Sequence, residues 1–259
     1  LEKMGVECVK LFCDPNGDFP HNPEPLPENL TEISKLVVSE QADFGIVVDP
    51  DVDRLALICE DGSMFGEEYT LVAVSDYVLS KTPGNTVSNL SSTRALRDIT
   101  IKHKGKYAAS SVGEVNVVEK MKETNAIIGG EGNGGVIYPE LHYGRDALIG
   151  VALFLTQLSE RKISAKGLRD SYPNYFISKN KMQLTPEIDV DTILSTLAEK
   201  YKKEKITTID GLKIDFAEGW VHLRKSNTEP IIRIYAESKG EKKAHALAKK
   251  IINEIKELV

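Results

Sequence analysis

The 259-residue chain is 41% hydrophobic and 28% charged, a balance that fits a soluble globular protein of roughly two domains. A formal net charge of -6 argues against broad nucleic-acid binding, which demands a basic face. Cys8, Cys13 and Cys59 are odd in number and too few for a disulfide framework, so buried thiols in a reducing cytoplasm are expected, and the longest rich apolar stretch, Leu148 to Leu155, is too short to span a bilayer.

The opening Leu1-Glu2-Lys3-Met4-Gly5 reads like the inside of a domain, so the chain is expected to be part of a longer protein. A first region is expected over residues 1–62. Val6 to Phe12 reads as a strand, and the Pro-rich stretch that follows cannot be helix or central strand. Glu28 to Glu40 fits an amphipathic helix with Leu30, Ile33, Leu36 and Val37 on one face. Two apolar runs, Phe44 to Val48 and Leu55 to Cys59, then flank Asp49-Pro50-Asp51-Val52-Asp53-Arg54. Three like charges at a strand end repel one another, and a bound cation relieves that repulsion. Oxygen ligands favour Mg²⁺ or Ca²⁺ over Zn²⁺. Arg54 stands where it could hold a phosphate beside such a metal. Three alternatives compete: a solvated acidic turn, a calcium hand with Glu60 at its twelfth position, and an aspartyl-phosphate phosphatase in which Asp49 attacks phosphorus. The calcium hand is disfavoured because Arg54 takes the place of its turn-forming glycine. The phosphatase also wants further acidic ligands and a lysine in downstream loops.

A second region, residues 63–172, alternates helix and strand: helix over Glu68 to Leu79, strand over Thr86 to Leu90, helix over Ser92 to Ile101, strand over Lys106 to Ser110, helix over Glu114 to Lys122, strand over Ala126 to Gly129, and helix over Arg145 to Glu160. This pattern implies βαβ units and a mostly parallel sheet, where ligands gather at the carboxyl ends of strands. Gly130-Glu131-Gly132-Asn133-Gly134-Gly135 satisfies G-x-G-x-x-G, but the extended Val136-Ile137-Tyr138-Pro139 follows instead of a helix, which excludes a dinucleotide fold. Glycines let backbone and ligand come close, Glu131 can accept from vicinal hydroxyls, and Asn133 can accept and donate. A flexible Gly-rich turn is the plain alternative.

A third region, residues 173–259, changes character. Ile188 to Tyr201 reads as helix, Ile209 to Phe216, Trp220 to Arg224 and Ile231 to Glu237 as antiparallel strands, and Glu241 to Leu258 as an amphipathic helix, giving a small α+β domain. Arg224-Lys225-Ser226-Asn227-Thr228-Glu229-Pro230 collects donors between two strands, and Arg233 returns along the next one. A guanidinium with hydroxyls and backbone N–H groups suits a phosphate dianion. A polar hairpin tip is the alternative.

These three loops, in this order, resemble those of the α-D-phosphohexomutase family, which includes phosphoglucomutase, phosphomannomutase and phosphoglucosamine mutase. The acidic loop is similar to the family's D-G-D-x-D-R metal loop with Pro50 at the glycine. Gly130 to Gly135 resembles its G-E-x-S-G-H sugar loop, and Arg224 to Pro230 its R-x-S-G-T-E-P phosphate loop with Asn227 at the glycine. Ser111-Val112-Gly113-Glu114 is similar to a shorter T-x-V-G-(D/H) element.

The resemblance implies that Asp49, Asp51 and Asp53 hold Mg²⁺, that Arg54 lies beside the reacting phosphate, that Glu131 and Asn133 grip sugar hydroxyls, and that Arg224, Ser226, Asn227, Thr228 and Arg233 bind the phosphate that is not reacting. It implies the end of the family's second domain (1–62), its third α/β domain (63–172) and its fourth (173–259). The implied activity is interconversion of hexose 1-phosphate and hexose 6-phosphate through a phosphoserine and a sugar bisphosphate, with a glucose 1,6-bisphosphate-type activator. The implied partners are a hexose phosphate and the N-terminal domains of the same protein. Two departures stand out. Gly135 replaces the histidine that usually closes the sugar loop, and Asn133 replaces its serine. The phosphoserine loop T-A-S-H-N-P has no counterpart, since His21-Asn22-Pro23 mimics only its tail, so the chain alone is expected to be inactive. A non-catalytic sugar-phosphate-binding module remains an alternative.

Overall fold

A computed structural model describes residues 1–184, 189–226 and 229–258. After a short 3₁₀ turn at Pro27–Asn29, helix α1 (Thr31–Ser39) leads into strand β1 (Phe44–Val48), which pairs antiparallel with β2 (Leu55–Cys59) so that Val48 faces Leu55. The hairpin therefore closes around residues 49–54. Every residue of β2 is buried, because its two faces serve two cores. Ala56 and Ile58 meet Leu30 and Val37. Leu55, Leu57 and Cys59 join the large core formed with Phe65, Val72 and Phe154. Of the three thiols expected to be buried only that of Cys59 is, since Cys8 and Cys13 lie in the largely exposed segment before α1. Gly45 lets α1 approach, since a Cβ there would lie 2.9 Å from Val37 Cγ2. The strand expected over Val6 to Phe12 does not form. Those residues run largely exposed with no partner, and a lone extended segment leaves its backbone groups to water.

The middle unit follows the expected alternation. Its helices are α2 (Glu67–Lys81), α3 (Ala95–Lys102), α4 (Glu114–Thr124), α5 (Ala147–Arg161) and the short α6 (Ala165–Asp170), which sequence reading missed. Strands β3 (Asn85–Asn89), β4 (Tyr107–Ser110), β5 (Ala126–Glu131) and β6 (Gly135–Ile137) form a sheet in the order β4-β3-β5-β6. The first three run parallel and β6 returns antiparallel. Asp146 caps α5, accepting from Leu148 N at 2.7 Å and Ile149 N at 3.0 Å.

The third unit begins with β7 (Phe176–Gln183), then α7 (Val190–Lys200), β8 (Lys205–Thr207), β9 (Leu212–Asp215), β10 (Gly219–Lys225), β11 (Ile231–Ser238) and α8 (Glu241–Leu258). The sheet is antiparallel throughout, in the order β7-β11-β10-β9-β8. Strand alternation gives it two unlike faces. Leu212, Ile214, Val221, Leu223, Ile232 and Ile234 pack with Ile193, Leu197, Ile251 and Ile255 of the two helices. Opposite lie two polar rows, Arg224–Arg233–Lys181 and His222–Tyr235–Lys179, each aligned across three strands. β7 and β8 were absent from the sequence reading; the α/β unit followed by an antiparallel α+β unit agrees with it. Tyr69 of α2 fastens the connector between units: its hydroxyl donates to Pro173 O at 2.6 Å and accepts from Tyr175 N at 2.8 Å. Among the described residues no helix is long and apolar enough to cross a membrane.

Candidate functional site

The acidic loop turns on Val52, a β-branched residue at φ 58 in the left-handed region. Two backbone bonds hold it there. Val52 N donates to Asp49 O at 3.1 Å, and Val52 O accepts from Ala147 N at 3.0 Å. Asp49 is buried, and both its oxygens are occupied. Oδ1 accepts from the backbone N of Asp53 (3.2 Å) and Arg54 (3.0 Å), and Oδ2 from Arg54 Nε (2.7 Å). Burial works against its charge, but the bonds from Arg54 outweigh that and hold its carboxyl below the usual range. Asp53 goes the other way. Burial, helped by the nearby charges of Asp49 and Asp51, pushes it up to about 6 against the pull of Arg145. Its Oδ1 is buried without a hydrogen-bond partner. One carboxylate oxygen from each of Asp49, Asp51 and Asp53 lies within 4.8 Å of the others. An all-oxygen set with one orphaned oxygen fits a hard divalent cation.

The glycine-rich loop is sewn to the acidic one. Leu55 N donates to Gly134 O at 3.1 Å, and Gly134 sits at φ +91 where a Cβ would come 2.4 Å from Leu55 O, so only glycine fits. Glu131, 6% exposed, is held at the carboxyl end of β5. Its Oε1 accepts from Asn89 Nδ2 at 2.7 Å and Gly113 N at 3.1 Å, and its Oε2 from Arg145 Nη1 at 3.1 Å. Thus the ends of all three parallel strands converge, as ligand sites in such sheets do: Asn89 from β3, residues 111–114 after β4, and Glu131 from β5. Asn133 Oδ1 accepts from Gly135 N at 3.2 Å.

The third loop lies on the polar face of the antiparallel sheet. Arg224 Nε donates to Asp210 Oδ1 at 3.3 Å, Arg233 Nη2 to Glu229 Oε2 at 3.4 Å, and the backbone N of Glu229 to Ser226 Oγ at 3.3 Å. Asn227 and Thr228 lie outside the described residues. His222 Nε2 lies 2.7 Å from Asp210 O and its Nδ1 2.9 Å from Ser91 Oγ. Burial pushes this histidine down to about 4, so the ring is neutral; Nε2 donates to the carbonyl and Nδ1 accepts from the serine.

These loops face one cavity of about 320 Å³. Arg54, Glu131 and Asn133 line one side, and Arg224 and Arg233 the other. None of the three aspartates lines the cavity, although Asp49 and Asp53 pair with Arg54, which does; Ser226 is buried and does not line it either. Sequence reading missed several residues that complete the site. Lys179 lines the cavity and donates to Glu67 Oε1 at 2.6 Å; the alternation of Lys179 and Lys181 was its only signal. Glu68 lines the cavity and accepts from Thr93 N at 2.8 Å, and burial pushes its carboxyl up to about 8. Arg145 and Asp210 carried no local signal.

Sequence models of one family match the chain in order. The phosphoglucomutase/phosphomannomutase alpha/beta/alpha domain II matches residues 1–62, its alpha/beta/alpha domain III residues 66–175, and its C-terminal domain residues 185–254. A phosphoglucomutase/phosphomannomutase of Thermococcus kodakarensis is 38% identical, over 94% of this chain and 54% of its own length. A phosphoglucosamine/phosphogalactosamine mutase of Sulfurisphaera tokodaii is 34% identical, over 92% of this chain and 52% of its own. The crystal structure of a phosphoglucomutase/phosphomannomutase family protein from Burkholderia thailandensis superposes with a TM-score of 0.85 at 28% identity, covering 98% of this chain and 55% of that one. The chain spans about half the length of the curated relatives it matches.

Proposed function

Because the chain belongs to the α-D-phosphohexomutase family, we propose that it supplies the metal-, sugar- and phosphate-holding part of an enzyme that interconverts hexose 1-phosphate and hexose 6-phosphate. One observation carries this: Arg54, Glu131 and Asn133 share a single cavity with Arg224 and Arg233. A small anionic sugar placed there meets hydroxyl acceptors and a guanidinium on one side and two guanidinium groups on the other. Arg224 and Arg233 hold the phosphate that stays, by charge-assisted bonds. Glu131 and Asn133 hold ring hydroxyls. Arg54, already oriented by Asp49, neutralises the phosphate that moves. Mg²⁺ held by Asp49, Asp51 and Asp53 would offset charge on that same group.

The sequence contains no T-A-S-H-N-P stretch. The phosphoryl-carrying serine is therefore placed elsewhere, and this chain binds without turning over. A nucleophilic role for Asp49 is disfavoured, since Asp49 is buried and does not line the cavity where the sugar phosphate is placed. The test is calorimetry on this chain with Mg²⁺ and then with glucose, mannose and glucosamine 6-phosphates. Binding of at least one sugar phosphate, weakened by Arg224→Ala, is expected. No binding of any of them would overturn the proposal.

A further inference from the structure

We infer that Arg145 is the positioning residue that couples the acidic loop to the glycine-rich loop, and that it works from the space a side chain at position 135 would fill. One guanidinium meets carboxylates from three separate segments: the acidic loop, the start of α4 and the end of β5. Nη1 donates to Glu131 Oε2 at 3.1 Å, Nε donates to Glu114 Oε2 at 3.2 Å, and Nη2 pairs with Asp53 Oδ2. The backbone N of Arg145 donates to Glu114 Oε1 at 3.0 Å, which ties the same segment a second time.

The residue is held where it must be. Asp146 N donates to Val136 O at 2.8 Å, and Asp146 caps α5, so the backbone at 145 is fixed between a strand and a helix start. The stem of Arg145 crosses directly over Gly135. A Cβ at 135 would come 2.4 Å from Arg145 Cδ. Gly135 and Arg145 are thus a matched pair, and the glycine that departs from the family's histidine has a steric reason. A guanidinium stays charged and offers its donors in fixed directions, so it orients carboxylates rather than exchanging protons with them.

Coupling follows from the division of one positive charge among three negative ones. With a divalent cation on the three aspartates, Asp53 shares its charge with the cation and draws less on the guanidinium, so Arg145 serves Glu131 and Glu114 more fully. Glu131 is then held more firmly for sugar hydroxyls. Each ligand should tighten the other, and by linkage the factor is the same both ways. This last step rests on the functional proposal above; the bracing of the two loops does not.

The test has two arms on this chain. In the first, hydrogen exchange is followed without ligand for the wild type, Arg145→Gln and Arg145→Lys. Both variants should speed exchange in residues 51–55 and 130–136 together, by about tenfold, as expected when a charge-assisted bond is lost, while leaving β9 to β11 unchanged. Lysine should fail to rescue, because it keeps the charge but not the fork. A response in one loop only, in neither, or full rescue by lysine would overturn the inference. In the second arm, Mg²⁺ affinity is measured with and without glucose 6-phosphate. The wild type should show mutual tightening of about fivefold or more, falling below about twofold in Arg145→Lys. Equal coupling in both proteins, or binding of both ligands without coupling, would also overturn it. If the wild type binds neither ligand, the functional proposal fails and the exchange arm alone decides this one.

Discussion

On the α/β side of the cavity, charged side chains are braced by neighbours in adjoining loops: Asp49 by Arg54, and Glu131 by Asn89, Gly113 and Arg145. On the side of the antiparallel sheet, many of the bonds cross between units. Asp210, which holds Arg224, also accepts from Val112 N at 2.9 Å. His222 meets Ser91, Lys179 meets Glu67, and Lys213 Nζ donates to Leu90 O at 2.7 Å. Arg224 and Arg233 are themselves held within their own unit, by Asp210 and Glu229, while Asp210, His222, Lys179 and Lys213 tie the basic wall to its neighbour. If the pocket binds as proposed, bonds within one unit would suit a fixed ion, and bonds between units would make sugar phosphate binding depend on how the two units meet.

Four experiments would break or sharpen that contrast. The largest effect is expected at the seam. Arg94 is buried and donates to Gly219 O at 2.6 Å, with its Nε 3.4 Å from Glu237 Oε1, and Glu237, fully buried, also accepts from Trp220 Nε1 at 2.7 Å. Arg94→Met would leave that carboxylate its bonds from the backbone N of residue 94 and from Trp220 but take away its guanidinium, and should remove about 3–5 kcal/mol of stability in urea unfolding; a loss under about 1 kcal/mol would show that the seam is held elsewhere. Next, Arg224→Ala should weaken hexose phosphate binding roughly 10–100-fold by calorimetry, the range for a lost hydrogen bond to a charged group, while Mg²⁺ binding stays unchanged. Equal damage to both ligands would mean the two walls are not independent. Third, Asp51→Asn, which removes the most exposed of the three carboxylates, should weaken Mg²⁺ on the order of tenfold, the effect of one unit charge on a dication near solvent. Unaltered Mg²⁺ affinity would remove Asp51 from the ligand set.

The smallest effect concerns pH. Glu68 is pushed up to about 8, chiefly by burial. Between the usual carboxylate range and about pH 8 the folded chain therefore holds a proton that the unfolded chain has released. Stability from this group is greatest at low pH and declines as pH rises toward 8. Urea unfolding at a series of pH values should show that decline in the wild type and a flatter profile in Glu68→Gln; parallel profiles would sink the assignment.

Local pattern carried much of the architecture. The helix expected over Glu241 to Leu258 has those bounds, because its apolar stripe repeats at helical spacing and ends up buried at Ala244, Ile251 and Ile255. The acidic loop was legible because its alternate aspartates sit in one tight turn between two strands, which brings the three carboxylates together. Elsewhere a local pattern misled or was silent. Val6 to Phe12 has strand-like letters but nothing to pair with. β7 was invisible because its exposed residues outnumber its buried one and its edge position leaves Lys179 and Lys181 in view. Arg145 and Asp210 acquire meaning only where loops distant in sequence meet, and no short window contains that meeting.

The grip of Tyr69 on Pro173 and Tyr175 has a mechanical consequence. With both sides of residue 174 anchored to α2, the connector has little free length, and one phenol fixes the point from which the antiparallel sheet departs.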